Sequence, residues 1–299
     1  MNRLWDAQTD EIHAITVSPT DATIAVATHE RSEVVLLNPA DGARSVGLSH
    51  GDPILAVAWS ADGAWLASSS TNHLAIVWSG RTYRVFNTFT HADWVWSVAL
   101  SPDGATLFTG GGEQDGMVRR WDVATGQMVD ELCETGRART HDGEVTALAL
   151  TPDGATIISV GGHRLIVWDA RTGGPRWHVE PHAQTINTLA IEPDGDLLIG
   201  GTASGLVKLW AVANGAGIDH RQLDAPVMAV AAHPNGRHIA AALADGSVAL
   251  LTMGTHQELR IAGVWPLGGD ALRGCAWLPD GRLVCGDKAG RVSCWDVTA

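Results

Sequence analysis

Lysine is almost missing from this chain: only Lys208 and Lys288 occur, so eighteen of the twenty basic residues are arginines. Thirty-three acidic residues outnumber them and give a formal net charge of −13. A polyanion partner needs a basic footprint, and none of any length is present, so nucleic acid is not an expected partner. The amino-terminal MNRLWDAQTD has neither a long apolar stretch nor a small-residue cleavage site, and no apolar run elsewhere is long enough to span a bilayer. No membrane partner and a cytoplasmic location are the expectation. The four cysteines, Cys133, Cys275, Cys285 and Cys294, are too few for a disulfide scaffold at this size and contain no C-x-x-C pair. The phosphate-cradling pattern G-x-x-x-x-G-K-[ST] is also absent. No cofactor and no metal are therefore expected. Arginine in place of lysine, beside abundant Ala, Gly and Asp, has the bias of a GC-rich bacterial genome.

What the chain does have is repetition. Seven segments align: VSPTDATIA, WSADGAWLA, LSPDGATLF, LTPDGATII, IEPDGDLLI, HPNGRHIA and LPDGRLVC. Their turns begin at Thr20, Asp62, Asp103, Asp153, Asp194, Asn235 and Asp280, with spacings of 42, 41, 50, 41, 41 and 45 residues. About sixteen residues after each turn a second signature recurs, with Trp78, Trp121, Trp168, Trp210 and Trp295 in one slot and Leu37 and Leu251 filling it in units one and six. About twelve residues before the turn stand His50, His91, His141 and His182. Short alternating apolar runs bounded by Gly, Pro and Asp separate these landmarks, which predicts four short antiparallel strands per unit.

Period, histidine, Asp-Gly turn and Trp-Asp dipeptide together resemble the WD40-repeat family over essentially the whole chain. The resemblance implies an all-β fold: a single domain, residues 1–299, forming a seven-bladed β-propeller around a central channel. The last unit stops after its third strand, at CWDVTA. The amino-terminal NRLWDAQ has the right length to supply the missing outer strand, so ring closure within this one chain, as a monomeric propeller, is expected.

Unit three holds His91, Thr109, Asp115 and Trp121, which superficially resembles a hydrolase triad with a fourth member. In the family these slots form a structural hydrogen-bonded tetrad, and buried polar groups need such partners. A nucleophile would also need an oxyanion hole and an open site, which the strand context does not offer. Unit two has His50, Ser68, Asn72 and Trp78; unit four has His141, Ser159 and Trp168 with Gly162 in the Asp slot. Units one, six and seven have Gln8, Leu223 and Gly268 in the histidine slot and are expected to rely more on apolar packing. Cys275, Cys285 and Cys294, one on each of three strands of unit seven, read as buried small hydrophobes. The interval from Trp121 to His141 is twenty residues against the usual thirteen or fourteen. This insertion around Cys133 either lengthens the outer strand or bulges after it, and reads as a tolerated loop or, alternatively, as a docking element with an exposed, oxidisable thiol.

One stretch, HADWVWSVALSPDG, departs from its sisters. Val95 fills a uniformly apolar slot shared with Ile12, Ile54, Val145, Ile186, Val227 and Leu272. The residues on either side vary: the Trp94 slot also holds Glu11, Pro53, Glu144, Thr185, Pro226 and Ala271, and the Trp96 slot holds His13, Leu55, Thr146, Asn187, Met228 and Arg273. Such variation suits positions free of the shared packing task. By the resemblance, both slots lie at the top face and channel mouth, together with Glu30, Gln114 and Lys288 beside the turns between the second and third strands. The expectation is a non-enzymatic scaffold that binds a protein or peptide, with Trp96 as principal anchor and a basic side chain as its natural guest. The competing readings are interblade packing of the two indoles, docking through the blade rims, or an active site at the channel mouth.

Overall fold

The computed structural model describes residues 1–134, 136–179, 185–254 and 256–297. Among them lie twenty-eight strands and no helix. They form seven four-stranded antiparallel sheets, each a blade with strands a to d running from the axis outward. Blades one to six span residues 12–49, 54–90, 95–132, 147–179, 186–222 and 227–266. Blade seven takes strands a to c from residues 272–296 and its outer strand from Asn2–Gln8, which pairs antiparallel with Arg291–Asp296. The a strands touch one another in succession around the axis, and blade seven's a strand returns to blade one's. The chain is a seven-bladed β-propeller.

The alternation seen in the sequence explains the packing. Strands b and c are buried throughout most blades, because each is sandwiched between two neighbouring blades, whereas every d strand alternates exposed and covered residues. The core is consequently a set of seams between blades rather than one central mass. The indoles of Trp168 and Trp210 are almost fully enclosed in these seams.

The insertion before blade four leaves strand d of blade three short, at Met128–Leu132, and forms a loop after it. Thr140 returns this loop to the sheet: its hydroxyl donates to Leu132 O and accepts from Val118 N–H at 3.1 Å. Glu134 on the same loop is gripped by Arg164 at 2.7 Å and His178 at 3.0 Å. Burial pushes the half-buried Cys133 thiol above its ordinary pKa, and the thiol donates to Arg137 O at 3.1 Å, so it is held protonated.

Candidate functional site

The polar slots inside the blades mimic catalytic chemistry. In blade four Ser159 Oγ accepts the Trp168 indole N–H at 2.9 Å and shares a 2.8 Å hydrogen bond with His141 Nε2. The chain His141–Ser159–Trp168 is thus complete without an aspartate. Blade three, which has all four residue types, does not assemble the expected tetrad. Trp121 donates to Thr109 Oγ1 at 2.8 Å, but Asp115 is claimed by Arg119, whose Nη2 donates to Oδ1 at 2.9 Å. Arg119 also lies 3.3 Å from His91 Nδ1, and His91 Nε2 has no hydrogen-bond partner among the described residues. A fixed cation two positions before Trp121 outcompetes a neutral imidazole for the carboxylate, since the charged pair is the stronger bond. Blade two is likewise split: Trp78 donates to Ser68 at 2.8 Å, while Asn72 Nδ2 lies 3.2 Å from His50 Nδ1. His182 lies outside the described residues.

Units without the histidine have substitute ties rather than apolar packing alone. Gln8 donates to Ala289 O at 2.8 Å, Gln222 donates to Ser204 O at 2.6 Å, and Arg291 donates to Gly268 O. A measurable ranking follows. Ser159→Ala orphans two buried groups and is expected to cost about 2–4 kcal/mol, whereas Thr109→Ala orphans one and costs about 1–2 kcal/mol. Urea unfolding of the two variants checks the order; equal losses would mean that the three-member chain is not the stronger unit.

Blade seven's cysteines are packing groups. Cys275 and Cys285 are directly paired across strands a and b, and burial pushes Cys275 up to about 12 and Cys285 well above its ordinary value. Protonated thiols of this kind are poor metal ligands.

The channel mouth is built by a repeated irregularity. In six blades the pairing between strands a and b skips one residue, between Ile12 and Ala14, Ile54 and Ala56, Val95 and Ser97, Ile186 and Thr188, Val227 and Ala229, and Leu272 and Gly274. The skipped residues are His13, Leu55, Trp96, Asn187, Met228 and Arg273. In blade four strand a starts at Ala147, directly after Thr146. A bulge leaves its extra residue out of the ladder and re-aims its side chain. All seven slot residues line one axial cavity of about 410 Å³. Variability at this slot and its place on the channel wall therefore have one cause.

Trp96 also borders a second cavity, again about 410 Å³, on the top of blade three. Trp94 forms another wall, 45% exposed, with the two ring centroids 6.4 Å apart and the planes inclined by 41°. This exposure excludes interblade packing for Trp94. Three carboxylates, Asp93, Glu113 and Glu144, share the lining with Gln114 and His73, and no Lys or Arg does. Asp93 fixes the local backbone: Oδ1 accepts Trp94 N–H at 2.8 Å and Oδ2 accepts Gln114 N–H at 3.0 Å. Asp93, His73 and Glu113 were not singled out from the sequence, although the Asp immediately before Trp94 is a local cap that a turn analysis finds.

The remaining positions divide. Asn187 has its amide committed to Val227 O of the next blade at 3.0 Å. His13 shares a 3.1 Å hydrogen bond with His29, and burial, with His29 second, lowers its pKa; Glu11 acts on it in the opposite direction. Arg273 reaches the axial cavity, whereas Glu30 and Lys288 are exposed on b–c turns and line neither cavity.

Comparison with known proteins agrees with this architecture. The model of the WD40 family, described as WD domain, G-beta repeat, matches residues 44–79, 83–122, 134–169, 173–211 and 218–250. The chain belongs to the WD40-repeat family. It is 29% identical over 182 residues to the WD repeat-containing protein slp1 of Schizosaccharomyces pombe, covering 60% of this chain and 36% of that protein. It is 32% identical over 126 residues to an uncharacterized WD repeat-containing protein of Synechocystis sp., covering 41% and 35%. These matches span about a third of the relatives' own lengths. In fold, the U3-55K structure superposes with a TM-score of 0.84 at 20% identity over 96% of both chains. A chain of the mitotic checkpoint complex gives 0.83 at 21% identity, over 98% of this chain and 92% of its own. A WD40 propeller is, as a class, a protein-interaction scaffold.

Proposed function

We propose that this propeller is a non-enzymatic scaffold that captures a protein or peptide at the top of blade three, seating a basic side chain between Trp94 and Trp96. The observation that carries the proposal is the shared wall: Trp96 faces both the axial cavity and the acidic cavity that Trp94 closes. An indole face attracts a cation by roughly 0.5–2 kcal/mol, more as water is excluded. Asp93, Glu113 and Glu144 add attraction for Arg or Lys, with no resident Lys or Arg side chain in the lining to compete. Against a channel-mouth enzyme, the axial lining offers one imidazole, His13, and no carboxylate, and in the adjoining cavity, which does hold carboxylates and His73, both Asp93 oxygens are already taken by backbone N–H groups. A second reading is docking through the rim, favoured by exposed Val85, Phe86, Met128 and Val129 on the adjacent d strands of blades two and three.

Selection from a random peptide display library separates these. Top-face recognition predicts enriched peptides with Arg or Lys at a fixed position, which the double variant Trp94→Ala/Trp96→Ala binds at least about 30-fold more weakly, as for hot-spot aromatics. Peptides that bind the variant equally well would sink the assignment, and loss on Val85→Ser/Met128→Ser instead would move the interface to the rim.

A further inference from the structure

Two cavities meet at Trp96, and their walls carry opposite charge. The one on the top of blade three has Asp93, Glu113 and Glu144 and no Lys or Arg, whereas the axial one has Arg273 and no Asp or Glu. A single indole therefore stands between an acidic compartment and a basic one. A basic side chain held in the first leaves Arg273 facing the continuation of the same ligand.

Arg273 reaches the axis because the pairing of its strand skips it, between Leu272 and Gly274. Elsewhere in the fold Arg119, Arg120, Arg164, Arg282 and Arg291 each hold a carboxylate of this chain. Arg273 is half-buried on the channel wall and makes no ion pair or hydrogen bond with another described residue. Its neighbours do not compete for a ligand. Asn187 has its amide committed to Val227 O, and Thr146 has its hydroxyl committed to Val160 O and Ile186 O at 3.3 Å each. His13 is held neutral: burial first and His29 second lower its pKa, and the Arg273 charge pushes the same way.

Leu55, Met228 and Trp96 complete an apolar collar around this one cation. A guanidinium against such walls has lost part of its hydration, and a planar anion that accepts two of its N–H groups restores most. A carboxylate suits it better than a phosphate group. The phosphate brings close to two negative charges, which one arginine does not balance and which the acidic compartment beyond Trp96 repels.

We infer that Arg273 is the receptor for a side-chain carboxylate on the same polypeptide whose basic side chain enters between Trp94 and Trp96. The basic half of this motif rests on the top-face reading, and the acidic half stands on the axial cavity. A sphere of 410 Å³ is about 9 Å across, and an extended chain advances about 3.3 Å per residue. A peptide running through both cavities therefore carries its two charges about three to five residues apart.

The test takes peptides enriched from a random display library on the full chain and measures their affinities by fluorescence anisotropy, each with an amidated and with a free C-terminus. They are expected to share an Asp or Glu at a fixed place about three to five residues from the Arg or Lys. Changing that acid to its amide should weaken binding to the intact chain about 10-fold or more, and to Arg273→Gln less than about 2-fold. Arg273→Gln should keep the Tm of the intact chain, because sister blades have Leu55, Asn187 and Met228 in the same slot. Peptides that weaken on Trp94→Ala/Trp96→Ala but not on Arg273→Gln would overturn the inference and leave the top-face reading standing. Peptides that need Arg273 and not the indoles would support the carboxylate seat and sink the reading of the tryptophans. Affinity that depends on a free C-terminus rather than on the internal acid, or indifference to both sets of changes, would also overturn the inference.

Discussion

A chain lacking residues 1–8 is expected to lose its cooperative thermal transition. The strand Asn2–Gln8 covers the outer edge of blade seven through six residue pairs, from Asn2 with Asp296 to Gln8 with Arg291. It also carries Trp5, which packs on the core shared by blades seven and one. Removing a largely covered tryptophan costs about 3 kcal/mol, and each lost backbone hydrogen bond about 0.5–1.5 kcal/mol. Together these approach the whole stability of an ordinary domain, about 5–15 kcal/mol. The remaining edge of Arg291–Asp296 would also be an open template for pairing with other chains. Differential scanning calorimetry of the truncated chain checks this: a broad or missing transition is expected, restored by adding the MNRLWDAQ peptide. A Tm within a few degrees of the intact chain would show that closure through this strand contributes little.

Acid is the second strong lever, and its sign follows from burial. His91 and His141 are buried neutral; desolvation first, then Arg119 and Arg164 respectively, pulls each pKa from 6.5 down to about 4. Above pH 6.5 both are neutral in folded and unfolded chains, so their contribution is fully present. Between pH 6.5 and 4 the unfolded chain binds protons that the folded chain refuses, and stability falls. Each group accounts for roughly 3 kcal/mol across that window. Carboxylates with lowered pKa, such as Asp169 held by Arg176, act only at more acidic pH. Urea unfolding at pH 7, 5.5 and 4.5 should therefore show a steep loss, to which His13 and His50, also lowered by burial, add, and which His141→Gln reduces by roughly 2–3 kcal/mol. A flat profile would contradict the burial of neutral imidazoles.

The fold was legible because its turns are chemically demanding. Asp-Gly at a fixed interval reports a hairpin, and seven such hairpins with a Trp slot report seven blades; even the closing strand followed from counting residues between Trp295 and Gln8. The position of Trp96 was legible too, since a slot that varies between His13, Asn187 and Arg273 beside a constant apolar neighbour is not a packing slot. Two things were not. The bulge that points those side chains into the channel has no residue signature of its own, because it depends on the ladder partner. The capture of Asp115 by Arg119 is a competition between a cation and an imidazole, settled by their distances in space, although an arginine two residues before Trp121 was a visible warning.

The central claim is that Trp96 and Trp94 hold a basic side chain, and a double-mutant cycle on the best peptide from the display selection tests it most directly. Four affinities are needed: intact and Trp94→Ala/Trp96→Ala protein, each with the parent peptide and with its basic residue replaced by Gln. If the indoles grip the cation, the two changes couple by about 1 kcal/mol or more, the peptide substitution mattering far less once the indoles are gone. Additive losses would mean that the basic residue and the tryptophans act at separate places, and the account of this site would be wrong.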